Sequence, residues 1–494
     1  MSAGLSMPPG AAQAAQQLAA GEVRASALLE QCLARIARHN PAINALVTLD
    51  EARARRVAAA IDALLVQGVA RFDAQPLLGL PVSIKDAFAT QGLRTTSSHA
   101  ALAHYLPPED ASLVARLKSA GAVVVGKSNL SELAGDPQCW SPLFGPTRNP
   151  WNPTLTPGGS SGGSAAAIAM GFSLLELGSD IGGSIRIPAA YCGVAGFKAS
   201  ENRLPRSGHI PHLPGAERSV RHLLSFGLLA RRVADLQLAL PVLVGPDGQD
   251  SETPPLPWRS LPALNRPLRI AWWDDFAGLP LCARTTQALA HTVQRLQAAG
   301  HDVQRCAPAG FDWATAWQAF GWLAGSEIGL GLPRWQRWLM AHSAGLLPRD
   351  APLSRAFLHG TRLNLRQFQW ALNRREQLIS ALDGFLGEWD AWLCPTALTT
   401  AYPAFALHPL RPPKPLSVAG QSLPYIEATL SLTTPFSLTG SPVLSLPAGA
   451  VAGVPVGLQL VGRRWQDEAL LQVGAQVEAA LGPWQAPPDP DQLR

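Results

Sequence analysis

Two turns of serine and glycine, Gly158 to Ser164 (Gly-Gly-Ser-Ser-Gly-Gly-Ser) and Gly178 to Ser184 (Gly-Ser-Asp-Ile-Gly-Gly-Ser), each lie between apolar segments. Ala165 to Met170 follows the first turn and is a strong helix former. Its glycines therefore stand at a helix N-terminus, where free N–H groups collect. Leu174-Leu175 leads into the second turn, and Ile185-Arg186-Ile187-Pro188 leads out of it. Taken alone, the first turn reads equally well as a flexible linker. A linker does not recur as a turn between two buried elements, so both turns are placed inside a folded domain.

The surrounding apolar runs set the fold class. Gly79 to Ile84 and Ala122 to Gly126 have the length and composition of buried strands, with a helical stretch at Ala111 to Ala120. Leu28, Leu29, Cys32, Leu33 and Ile36 recur at helical spacing, and Asn40-Pro41 is expected to close that helix. A second helix is expected over about Glu51 to Val66. Gly245 to Pro267 reads as a surface connection. After it come a strand at Leu268 to Trp272, a helix at Thr285 to Ala299 and a strand at His301 to Arg305. Two more strands are expected at Pro442 to Pro447 and Pro455 to Val461, and Trp313 to Arg375 is mostly helical. Strands alternating with helices predict an α/β fold whose sheet is at least partly parallel.

Composition narrows the classes of function. A hydrophobic fraction of 47% with 15% charged residues describes a chain with a sizeable core. A net charge of +5 is dilute over 494 residues, and no Lys/Arg block carries interleaved aromatics. The expectation is no nucleic-acid partner. Arg53, Arg55 and Arg56 beside Glu51 read as a solvated helix face. The six cysteines form no Cys-x-x-Cys pair, which argues against a zinc site or a disulfide framework. No secretory signal and no membrane span is legible, so the expected location is the cytoplasm.

The candidate chemistry begins at Lys85. Only five of the forty basic residues are lysine, and Lys85 ends the run Leu80-Pro81-Val82-Ser83-Ile84. A buried lysine can be driven neutral and act as a base, which arginine cannot. The plainer use of Lys85 is as a charged partner for Asp86. Glycines ahead of Ser184 let successive N–H groups aim at one point, the requirement of an oxyanion hole. A phosphate-binding Gly-x-x-x-x-Gly-Lys-[Ser/Thr] pattern is absent from both turns, and so is the Gly-x-Ser-x-Gly elbow around Ser184. No histidine lies in or beside either turn, so a Ser-His-Asp triad has no local support.

These segments resemble the amidase signature family of serine hydrolases. The resemblance runs through Pro81 to Asp86, Gly126 to Asn129, Asn149 to Trp151, Gly158 to Ala167, Gly178 to Gly193 and Thr439 to Gln459. It implies one α/β/α domain over residues 1–494, a central mixed β-sheet flanked by helices, and no cofactor or metal. It also implies a Ser-Ser-Lys triad. By position, Ser184 is the nucleophile, Ser160 the bridging serine after a cis peptide bond, and Lys85 the base. Ile181, Gly182 and Gly183 correspond to the oxyanion-hole donors. Ser161, Ser179, Asp180 and Arg186 are supports, Ser179 standing where many members have Thr, and Ala134 lines the substrate channel.

The expected reaction is hydrolysis of a hydrophobic or aryl amide, with an ester or carbamate as a related substrate. The expected partner is a small molecule, with no nucleic acid, no membrane, and a monomer or homodimer. The alternative is the glutamine-hydrolysing subunit of a tRNA-dependent amidotransferase, which shares the fold and triad. Those subunits resemble one another in an Asp ten residues before a Gly-x-Pro element. Here that element is Gly440-Ser441-Pro442, and the position holds Leu430. Arg375 has a spacing compatible with their carboxylate-binding Arg. Trp313 and Trp317, and Trp335 and Trp338, can each share a helix face. Ordinary helix packing or an apolar cover over the substrate, at about 310–375, are the two uses open to them.

Overall fold

The computed structural model describes residues 5–210, 213–216, 218–407 and 413–489. Its short apolar runs form one eleven-stranded sheet. In chain order the strands are β1 (Leu46–Leu49), β2 (Pro81–Lys85), β3 (Val123–Ser128), β4 (Leu175–Asp180), β5 (Ala195–Lys198) and β6 (Ser225–Ala230). They continue as β7 (Arg269–Trp272), β8 (Asp302–Arg305), β9 (Ala391–Pro395), β10 (Val443–Val451) and β11 (Val454–Val461). Their spatial order is β1-β3-β2-β4-β6-β5-β10-β11-β9-β7-β8. The pairs β2/β3, β2/β4, β7/β8 and β9/β7 are parallel, and the remaining neighbours are antiparallel. The sheet is therefore mixed and flanked by helices, as the sequence predicts.

All residues of β2, β4, β5, β6 and β9 are buried. Strands covered on both faces need not alternate in polarity; of these five only β2 is expected from the sequence, and β4, β5, β6 and β9 are strands that the structure adds. The parallel pairing of β2 with β4, Ser83 opposite Glu176 and Ile84 opposite Leu177, brings the carboxyl ends of both strands to one edge. That edge is where side chains and turns of an open α/β sheet converge.

Two boundaries near the site differ from expectation: the second serine-glycine turn starts as strand, Gly178 to Asp180 belonging to β4, and the first long helix outlasts its proline. The helix Ala25–Ile43 runs through Pro41 and ends only at Asn44, whose φ of 56° is left-handed. A proline so near a helix end removes a single ladder bond. The Asn40 side chain offsets this by accepting from the N–H groups of Ala45 and Leu46, at 2.8 and 2.9 Å.

The tryptophan-rich stretch folds as the helices Trp313–Gly329, Arg334–Ser343, Pro352–Gly360 and Leu365–Phe385. Its tryptophans divide into two groups. Trp313 and Trp317 are buried with Phe311, Trp392 and Phe436 in one apolar cluster. Trp335 and Trp338 are 65% and 51% exposed, so they contribute nothing to that core. Among the described residues no helix is long and apolar enough to cross a membrane.

Candidate active site

Lys85 leaves the carboxyl end of β2 with no exposed surface. Its Nζ donates to Ser160 Oγ at 2.7 Å and to Ser179 Oγ at 3.0 Å. Burial pushes its pKa down to about 7, with Asp180 the strongest opposing influence. Asp86, its sequence neighbour, faces away. It accepts from Thr96 and lies 3.8 Å from Lys127, so Lys85 is not its ionic partner.

Ser160 sits at the head of the helix Gly162–Met170, after a cis Gly159–Ser160 peptide. Gly159 is required by close approach. A Cβ there would lie 2.5 Å from the carbonyl oxygen of Gln138 and 2.6 Å from that of Asp136. Ser161 ties the two turns together: its N–H donates to the Ser184 carbonyl at 3.1 Å and its Oγ to the Ser179 carbonyl at 3.4 Å.

The second turn is built around Asp180, the last residue of β4. Its carboxylate accepts from the N–H groups of Gly183 at 2.8 Å and Ile185 at 3.0 Å. It is also clamped by Arg186, through Nη2 at 2.7 Å and Nε at 3.0 Å. Burial alone raises the Asp180 pKa, but the adjoining Arg186 guanidinium and these hydrogen bonds hold it at about 2. Arg186 also donates to the Thr433 carbonyl at 2.8 Å and Ser437 Oγ at 2.7 Å, locking the turn to the helix Thr434–Leu438.

This arrangement corrects one sequence expectation. Gly183 does not aim its N–H into the open turn, because Asp180 three residues earlier accepts it. Among the described residues, no protein group accepts the N–H of Ile181, Gly182 or Ser184. Those three N–H groups are the ones available to a substrate oxygen. Gly183 has a φ of 128°, and a Cβ there would lie 2.6 Å from Thr433 Oγ1, so no other residue fits.

Ser184, Ile181 and Gly182 are half-buried, whereas Lys85 and Ser160 are sealed. The hydrogen-bonded chain runs from Lys85 to Ser160 and stops there; among the described residues Ser184 Oγ has no partner. Ala134 lies in the loop packed against Gly159, half-buried with a φ of 58°.

Three features of the site were not read from the sequence. A Cβ on Gly182 would meet Leu430, Thr434 and Phe320 at 3.7, 3.7 and 3.8 Å, so Phe320 joins Leu430 in an apolar wall over the turn. Glu176, buried on β4, is ringed by Ser83 and Ser128, which in turn bond Ser173 and Ser164. Burial pushes its carboxyl up to about 7. A lone charge inside Leu174-Leu175-Glu176-Leu177 was the available signal. Asp136 and Tyr425 form the third feature, a hydrogen bond of 2.6 Å between segments far apart in sequence.

A family model described as Amidase matches residues 27–471. The chain belongs to the amidase family. Hydrolysis of amide C–N bonds and the mixed α/β fold go with that membership. A crystal structure of an amidase is 31% identical, covers 96% of this chain and 100% of its own, and superposes with a TM-score of 0.77. A glutamyl-tRNA(Gln) amidotransferase subunit from Roseiflexus castenholzii is 35% identical, covering 94% of each chain. Its counterpart in Thermus thermophilus is 34% identical over 94% of this chain and 95% of its own.

These relatives overturn the expected partners. Their names describe subunits of an amidotransferase tied to a tRNA, against an expectation of a small-molecule partner, no nucleic acid and at most a homodimer. Dilute surface charge does not by itself exclude a nucleic-acid partner, since one member of a complex need not carry the nucleic-acid footprint itself. Arg375 is already engaged: it pairs with Glu201 and donates to the Leu438 carbonyl at 2.8 Å.

Proposed function

We propose that this chain cleaves a carboxylic amide through a Ser184 acyl-enzyme, with Ser160 and Lys85 as its proton relay. The observation that carries this is the 2.7 Å contact of a fully buried Lys85 with Ser160, below a half-exposed Ser184. Neutral Lys85 takes a proton from Ser160, which takes one from Ser184 as the Ser184 oxygen attacks the substrate carbonyl. The N–H groups of Ile181, Gly182 and Ser184 meet the developing oxyanion, while Asp180 and Arg186 fix the turn that presents them. The relay then returns the proton to the departing nitrogen through Ser160. Water, deprotonated by the same path, releases the acid. The missing Ser160–Ser184 hydrogen bond forms when substrate orders the Ser184 side chain, since such bonds tighten only in the complex.

For the source of the amide, the relatives favour glutamine hydrolysis within a tRNA-dependent amidotransferase over an aryl-amide substrate. One specific observation favours the second reading: Leu430 and Phe320 wall the turn with apolar surface, and Arg375 is committed to Glu201. A hydrophobic acyl group suits that wall, with the tryptophan-bearing helices behind it as cover.

Ammonia or amine release from glutamine and from alkyl and aryl amides, with and without a cell extract, separates the two. Glutamine turnover that requires the extract supports the amidotransferase reading. Alkyl or aryl amide turnover indifferent to the extract supports the apolar reading. No release from any amide contradicts the amidase mechanism itself.

A further inference from the structure

The loop between β3 and the first serine-glycine turn carries a carboxylate that the proton relay does not use. Asp136 is half-buried, and its backbone is pinned at both ends by one side chain: Ser131 Oγ donates to its carbonyl at 3.0 Å and accepts from its N–H at 3.1 Å. Its carbonyl packs on Gly159, directly before the bridging serine. On the other side Tyr425 Oη donates to Asp136 Oδ1 at 2.6 Å, and Tyr402 Oη donates to Tyr425 Oη at 3.3 Å. Tyr425 begins the short helix Tyr425–Leu430 whose last residue overlies Gly182. That helix therefore links the two places, its first residue bonded to Asp136 and its last beside Gly182.

We propose that Asp136, oriented by Tyr425, binds a positively charged nitrogen on the substrate at the rim of the Ser160–Ser184 cleft. The inference rests on the reading that Ser184 receives a substrate carbonyl. Both hydrogen bonds to the carboxylate, from Tyr425 and from the Gln138 N–H at 3.2 Å, go to Oδ1. Among the described residues Oδ2 accepts none and no cationic side chain pairs with the group. Burial pushes the Asp136 pKa up to about 6, which still leaves it ionised at neutral pH. A rigid, half-buried anion without a cation is costly to the protein. A substrate ammonium supplies the missing charge, and its hydrogen bond to a carboxylate is of the strong, charge-assisted kind. The same site gives a reason for Leu430: with an acid already at the opposite end of its helix, the wall over Gly182 is free to be apolar.

The test is equilibrium binding to the full chain carrying Ser184→Ala, so that no turnover is needed. The probes are primary amides with a terminal amine, in a series of chain lengths, each paired with the alkyl amide in which methyl replaces the ammonium. At the best length the amine form should bind about tenfold or more tightly than its alkyl partner, the span expected of a hydrogen bond to a charged group. Asp136→Asn keeps an oxygen acceptor for Tyr425 and Gln138, and should reduce that ratio to near one. Tyr425→Phe should reduce it in part. A ratio that survives Asp136→Asn, an equal loss for both ligands, or no preference in the Ser184→Ala chain overturns the proposal. Alkyl amide hydrolysis by the unsubstituted enzyme without an amine preference sinks the Asp136 site alone. An amine preference without hydrolysis sinks the amidase mechanism alone.

Discussion

Lys85 and Ser160 touch at 2.7 Å with neither exposed to solvent, so the base of this site works on a proton it does not share with water. Position as well as chemistry makes Lys85 exceptional. Lys127 and Lys198 are equally buried, but their amines donate to backbone carbonyls and to threonine or serine hydroxyls other than those of the two turns.

Lys85→Arg is expected to be as inactive as Lys85→Ala, because a guanidinium cannot accept the Ser160 proton. In the unsubstituted enzyme the reactive form is the neutral amine. Activity should therefore be low below the Lys85 pKa of about 7 and rise to a plateau above it. A kcat/KM profile against pH checks this; a flat profile, or activity in Lys85→Arg, would reduce the lysine to an electrostatic partner.

Glu176→Gln should move that profile to lower pH. The Glu176 carboxylate is one of the negative groups that favour protonated Lys85, so removing its charge lets the amine become neutral earlier. Glutamine retains a carbonyl oxygen for the surrounding serines, so the fold should survive. An unmoved midpoint in a folded variant would show that the serine-ringed carboxylate is electrically isolated from the relay.

Arg186→Ala leaves Asp180 buried and unpaired, and breaks the ties to Thr433 and Ser437. Breaking a buried pair in this way costs about 3–5 kcal/mol. Urea unfolding should show a loss of that order, together with loss of activity from a turn no longer held. A loss below about 1 kcal/mol would place the pair among surface-like ion pairs.

Leu430→Asp should raise the ratio of glutamine to alkyl amide turnover, by lowering kcat/KM for the alkyl amide about tenfold or more. A carboxylate over Gly182 removes the apolar contact and burdens an apolar acyl chain with a desolvated charge. Steady-state kinetics on the two substrates check it. An unchanged ratio would place Leu430 outside the acyl pocket.

Much of this architecture was legible because buried strands and glycine turns are local signals. Pro81–Lys85 and Val123–Ser128 declare themselves as continuous apolar runs, and Glu51–Val66 as a helix. Pro41 misled because only the three-dimensional cap formed by Asn40 and Asn44 shows that the helix outlasts it. Gly183 misled because whether its N–H is free depends on where the Asp180 carboxylate lies, and Arg186 holds that carboxylate against it. Phe320 over Gly182 and Tyr425 on Asp136 join segments that no spacing relates, so they had no signature to read.

The central claim is that Ser184 is acylated by a relay ending in a neutral lysine. Its most direct test is the site and rate of labelling by a fluorophosphonate, followed by intact mass and peptide mapping across pH. The account predicts one adduct, on the peptide carrying Ser184, absent from Ser184→Ala. Its rate should rise with pH through the Lys85 pKa of about 7 and collapse in Lys85→Arg. An adduct confined to another serine, or labelling of Lys85→Arg at the unsubstituted rate, would contradict it.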